Sequence, residues 1–118
     1  MASNFTLSMK AVDDVVVLLP KGYINDLGAV SMEQASEQCF HKGARKFVIN
    51  FADMYFINSI GASVITGIVN KNLEREAVLC FTNMKKMHRD VFEMLGITKH
   101  VRVFREEGDA LIFLQERE

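Results

Sequence analysis

The chain has 118 residues, 49% of them hydrophobic and 25% charged, with a single Pro; that is the size and composition of one ordered domain with its own core. Its 14 basic and 15 acidic side chains leave a net charge of -1, which excludes the electrostatic footprint of a nucleic-acid binder and any polybasic membrane patch. No apolar run reaches the length of a membrane span, and MASNFTLSMKAV lacks the basic-then-apolar pattern of a secretory signal. A cytoplasmic protein without direct membrane insertion is expected. Cys39 and Cys80 stand far apart in apolar surroundings, as reduced thiols do.

Phe5, Leu7 and Met9 alternate with polar residues, which predicts a half-exposed strand. After Asp13-Asp14, Val15 to Leu19 read as a buried strand, so the two form a hairpin. Pro20 ends that run or confines its end to a non-bonding position. Residues 27 to 42 predict a helix with Leu27, Val30, Ala35 and Cys39 near one face, stopped by Gly43.

Phe47 to Phe51 is the next buried strand. A helix beginning near Ser59 carries Ile60, Val64, Ile65 and Ile68, and Ala77 to Phe81 is again a strand. Met84, Met87, Val91, Phe92 and Leu95 repeat at helical spacing up to Gly96; a short strand over 101–104 and a helix over 108–116 follow. Strands alternating with helices favour parallel pairing with right-handed crossovers. The expectation is one α/β domain over 1–118, with a mixed sheet of about five strands, an antiparallel N-terminal hairpin and helices packed mainly on one face. No internal repeat or linker is read.

No catalytic constellation stands out, and no enzyme is expected. His41, His88 and His100 are isolated and read as surface or loop residues; no HExxH occurs. GASVITG and LPKGYIND match neither phosphate-binding glycine motif. Asp13-Asp14 and Glu106-Glu107 are adjacent pairs in turns, without the defined separation that acid/base pairs need. Methionine at helical spacing is ordinary core filler.

Ser59 has two readings. As a helix N-cap, its hydroxyl accepts a hydrogen bond from a first-turn amide. The same free amides and the positive end of the helix dipole also suit a phosphoryl group, beside Gly61, Ala62 and Ser63, which keep the first turn small.

The layout and the stretch FINSIGASVITGI resemble the STAS domain of the anti-sigma-factor antagonists. Ile57-Asn58-Ser59-Ile60-Gly61 is similar to that family's hydrophobic-Asp-Ser-Ser-Gly motif, whose first Ser is phosphorylated. Gly22-Tyr23-Ile24-Asn25 resembles its Gly-x-hydrophobic-Asp turn, and NMKKMHRDVFEMLGI its third helix. The resemblance implies phosphorylation at Ser59 by an anti-sigma factor of the serine-kinase type, and binding that phosphorylation ends. It implies no cofactor, since ATP belongs to the kinase. Asn25 and Asn58 stand where the family has Asp, and Ile60 where it has the second Ser; Asp26 and Asp53 lie nearby. Losing two carboxylates would ease a phosphoryl group into place, or would remove groups that orient Ser59 for a kinase.

The expected docking surface is Met54, Tyr55, Asn58, Ser59, Ile60, Gly61 and Ala62, with Asn25 and Asp26 on the adjacent loop. Met54 and Tyr55 have packing under the loop as their alternative. A competing reading keeps the fold as an unphosphorylated, constitutive module that pairs with other STAS-containing or signalling proteins, or serves a lipid-transport complex. A nucleotide binder or small-molecule enzyme is a third.

Overall fold

The structure, a computed structural model, describes residues 5–117, so residues 1–4 and 118 of the expected domain lie outside the described residues. Strands β1 (Thr6–Val12) and β2 (Val15–Ile24) make the expected hairpin, Val12 opposite Val15. Asp13 takes a positive φ of 55°, which short polar side chains tolerate in a two-residue turn. Next come α1 (Asp26–His41), β3 (Lys46–Asn50), β4 (Met54–Ile57), α2 (Ser59–Glu74), β5 (Val78–Thr82), α3 (Lys86–Met94), β6 (Arg102–Phe104) and α4 (Glu107–Gln115). The sheet runs β1-β2-β3-β5-β6, with every pair after the hairpin parallel, and β4 adds a sixth strand alongside β2.

Pro20 does not end β2. The strand serves two partners in succession: Val15–Leu18 pair with β3, and Gly22–Ile24 pair with β4. Pro20 falls between the two segments, where a missing amide donor costs no ladder bond. The strand expected over 47–51 is β3, and a turn at Phe51–Asp53 leads from it into β4, a strand the sequence reading missed. That turn is closed by Met54 N–H donating to the Phe51 carbonyl at 3.1 Å, and it is pinned to β2 by Gly22 N–H donating to the Asp53 carbonyl at 3.0 Å.

Two cores lie on opposite faces of the sheet. On one, α1, α2 and α3 bring Met32, Ile65, Val69 and Phe92 against Leu18, Phe47, Ile49 and Phe81. Each fully buried Phe or Ile there contributes about 1.5–3 kcal/mol. On the other, α4 alone sets Ala110 and Leu114 on Val15, Val17, Val48 and Cys80. The helices thus sit mainly on one face, as expected. At their far ends α1 and α2 are tied by Glu37, which accepts from the Arg75 guanidinium and pairs with Lys71 at 3.5 Å. The Arg75 hydrogen bonds hold its carboxyl below the usual carboxylate range.

Three expectations fail. Leu27 and Val30 are exposed; the inner face of α1 is Gly28, Ala29, Met32, Ala35 and Ser36. Small residues mark the buried stripe because the helix lies close, with the Phe5 ring filling the space beside Gly28. Of the apolar residues expected inside α3, Phe92 is buried and Val91 half-buried, while Met87, Met94 and Leu95 face out. His88, expected at the surface, is fully buried. Among the described residues no helix is long and apolar enough to cross a membrane.

Candidate functional site

The parallel β2–β4 pair places Ile24 opposite Ile57, so the two strands deliver their chains to helices side by side. Asn58 N–H donates to the Ile24 carbonyl at 3.2 Å and joins the two turns. Asn25 Oδ1 accepts from Gly28 N–H at 2.9 Å, and Asn58 Oδ1 accepts from Gly61 N–H at 2.7 Å. Ser59 is therefore not the N-cap: Asn58 caps α2 and Ser59 is its first helical residue. Asn and Ser rank together as caps, so residue type alone did not decide between neighbours. Ile24–Ala29 reads INDLGA and Ile57–Ala62 reads INSIGA. That echo between two helices of 16 residues each is an internal repeat the sequence reading passed over.

Gly61 explains the closeness of the turns. A Cβ there would stand 3.0 Å from the Ile24 carbonyl and 3.2 Å from the capping Asn58 oxygen. The backbone approach that glycine permits is thus made by this chain's own Ile24.

Released from capping, the exposed Ser59 hydroxyl makes no hydrogen bond among the described residues; only its carbonyl is engaged, by Ser63 Oγ at 3.0 Å. The Ser59 and Ile60 amides, in the first turn, have no intrahelical acceptor. An anion at Ser59 would meet two open donors and the positive end of α2. Asn25 and Asn58 give the caps without carboxylate charge. Asp26, exposed, holds in α1 the place that Ser59 holds in α2.

Of the expected docking residues, Tyr55, Ser59, Ile60 and Asp26 are exposed, and Asn25 and Asn58 are half-buried. Met54, Gly61 and Ala62 are buried; Met54 fills the core beneath the turn and does not present its side chain. The sequence reading missed several exposed apolar neighbours. Tyr23 stacks on Phe56 with ring centroids 5.3 Å apart. Leu27 stands 70% exposed at the place Ile60 takes in the second turn. A groove of about 220 Å³ between α2 and α3 is lined by Ser59, Ala62, Ser63, Val91, Met94 and Leu95. The available signal was the repeat itself, in which Leu27 and Ile60 share one position.

The turn below the site is held from α3. Lys85 Nζ donates to the Ala52 and Met54 carbonyls at 2.9 and 3.2 Å, and Lys85 N–H donates to His88 Nδ1 at 3.2 Å. Burial, then the Lys85 ammonium, keeps the His88 pKa below its usual value, opposed by the Tyr55 backbone.

Comparison with known proteins identifies the family and the fold. The family description "STAS domain" matches residues 6–110. BtrV of Bordetella bronchiseptica, provisionally named an anti-sigma factor antagonist, is 27% identical over 92 residues, 76% of this chain and 78% of that protein. A Thermotoga maritima protein with the same provisional name has a crystal structure with a TM-score of 0.84 at 20% identity, covering 93% of this chain and 95% of its own. The anti-sigma factor antagonist SpoIIAA in its unphosphorylated form gives a TM-score of 0.76 at 16% identity, over 96% of this chain and 99% of that one. The phosphorylated Bacillus SpoIIAA gives 0.72 at 18%, over 93% and 98%. These structures share the fold.

Proposed function

Because this chain belongs to the STAS domain family, we propose that it acts as an anti-sigma factor antagonist, docking an anti-sigma factor of the serine-kinase type on the surface around Ser59. A phosphoryl group on Ser59 ends that docking. The observation that carries the reading is the position of Ser59: a free, exposed hydroxyl at the first helical residue of α2, ringed by exposed apolar side chains.

Tyr55, Ile60, Tyr23, Phe56 and Leu27 have the aromatic and aliphatic character of an interface core. Asn25, Asp26 and Asn58 form its polar border, and Gly61 and Ala62 shape it from below. A phosphoserine at that centre carries about -1.5 to -2 charges. Against an apolar partner surface its desolvation opposes docking, and a difference of about 3 kcal/mol lowers affinity by roughly a hundredfold. In the free protein the same group is accommodated by the α2 amides and by neutral Asn25 and Asn58, which add no repulsion. The chain itself needs no cofactor for this role.

The test is intact mass with peptide mapping on the protein recovered from its native cells in several growth states. A phosphoryl group on Ser59 that comes and goes supports the switch. An unmodified Ser59 in every state returns the domain to a constitutive module that binds other STAS-containing or signalling proteins.

A further inference from the structure

The sheet edge formed by β6 lies away from Ser59 and belongs to no part of the function proposed above. Among the described residues β6 pairs with β5 alone, so its outer side offers unpaired backbone donors and acceptors. Two adjoining clefts of about 300 and 450 Å³ lie between β6 and α3, sharing Met84, Arg89 and Val103. Arg105 lines the first and Arg102 the second. Val103 is 40% exposed, an apolar side chain open to water in the middle of an edge strand.

Natural edges are commonly blunted by charges that discourage pairing. Here every formal charge contributed by the strand and the residue after it is positive. The side chains of Arg89 and Arg105 make no hydrogen bond or ion pair among the described residues. Arg102 leans over the Phe113 ring, 4.7 Å from its centroid, on the α4 side of the strand. Glu93, one turn beyond Arg89, lines the second cleft, and Glu106 follows Arg105 in sequence; neither forms an ion pair with these arginines among the described residues. At the opposite edge, by contrast, Lys10 of β1 is already taken by Glu107 at 2.7 Å.

We infer that the β6 edge is a second docking site, which takes an extended acidic segment of a partner protein as an added strand. The main chain would supply the hydrogen bonds of strand addition, and alternate side chains the specificity. Carboxylates on one face of the added strand meet Arg89 and Arg105, those on the other meet Arg102, and an apolar residue between them covers Val103 and Met84. Guanidinium forks match carboxylates in two-point contact. With a net charge of -1 on the whole chain, the protein as a whole does not attract anions, so a short acidic segment matched to this patch is favoured over a long polyanion.

The test uses the whole chain and a fluorescent peptide of Glu-Glu-Val repeats, which carries carboxylates on both faces of an extended strand, read by anisotropy and by amide shifts. Saturable binding is expected, with shifts gathered at residues 84–89 and 101–105. The double charge reversal Arg89→Glu with Arg105→Glu weakens it at least roughly tenfold, and the milder Arg89→Gln with Arg105→Gln gives an intermediate loss. All four arginine changes lie on exposed side chains, and unaltered melting of each variant confirms the fold. Two peptides N-methylated on alternate residues, in opposite registers, separate strand addition from plain charge attraction: one binds and the other does not. Ser59→Glu leaves this binding unchanged, so its failure and that of the Ser59 switch are told apart. The inference is overturned by absent saturation, by equal binding of both methylated peptides, or by retention in the charge-reversed variant. It is equally overturned by an oligonucleotide binding as well as the peptide, or by self-association through residues 101–105 that the peptide does not displace.

Discussion

The two turns INDLGA and INSIGA are built alike and differ at one telling position. Each follows a strand ending in Ile, is capped by an Asn oxygen on a Gly amide three residues on, and buries its Ala. Each also exposes an aliphatic side chain, Leu27 or Ile60. At the first helical residue, however, α1 has Asp26 and α2 has Ser59. One helix start carries an acidic side chain at the place favoured by its dipole; the other carries a neutral hydroxyl. The unmodified domain therefore contains a reference for its own modified form. Under the proposed switch, Asp26 is the precedent for an acidic group at that place, and the effect of a phosphoryl group on Ser59 would fall on the partner's side of the interface.

That comparison can be broken in several ways. The largest effect is expected from Ser59→Asp, which makes the second turn a copy of the first. Affinity for a serine-kinase-type anti-sigma factor, measured by calorimetry, should fall roughly a hundredfold, about 3 kcal/mol, with little change in melting temperature; Asp26→Ser should change affinity far less. Equal effects of the two would erase the distinction between the turns.

Next are the glycines. Gly61→Ala forces a Cβ onto the Ile24 carbonyl and the cap, neither of which can swing away, and should cost about 2 kcal/mol in denaturant unfolding. Gly28→Ala meets only the Phe5 ring, a side chain able to turn aside, and should cost less than half as much. A reversed order would mean that the two turns are not packed as described.

Removing either cap, Asn25→Ala or Asn58→Ala, should cost about 1 kcal/mol. Asn58→Asp should keep the cap and add a few tenths of a kcal/mol through the dipole at low salt. Smallest is the tie at the far ends of the two helices. Glu37→Gln should lower stability by about 1 kcal/mol or less at neutral pH. Because the folded Glu37 carboxyl titrates below its ordinary 4.5, its contribution is present above that pH and is lost as pH falls through the lowered folded value. The two unfolding curves should therefore converge in acid, and a gap that stays constant with pH would deny the ion pair.

Much of this was legible in the chain. Alternation of apolar runs and helical spacings predicted the mixed sheet, and Gly43 and Gly96 do stop their helices with φ of 108° and 74°. Illegible were features decided by register. Pro20 reads as a strand end until β2 is seen to change partners on either side of it. Leu27 reads as core by size, yet smaller neighbours take the inner face because close helix packing selects for volume. His88 looks like a surface residue because nothing in sequence shows that Lys85 folds back over the turn at Ala52–Met54. At the site, Ser59 was found by its place between strand and helix; the surrounding apolar rim comes from three separate stretches, 23–27, 55–60 and 91–95, that no local pattern joins.

The lone helix on the second face of the sheet has a consequence for synthesis. As the chain leaves the ribosome, the first face can close once residues up to Val101 have emerged, while Val15, Val17, Val48 and Cys80 wait in water for Ala110 and Leu114. In the finished fold burial lifts the Cys80 thiol to about 11 and shields it. A thiol reagent applied to stalled nascent chains would therefore mark Cys80 only before α4 docks, making that cysteine a clock for the last step of folding.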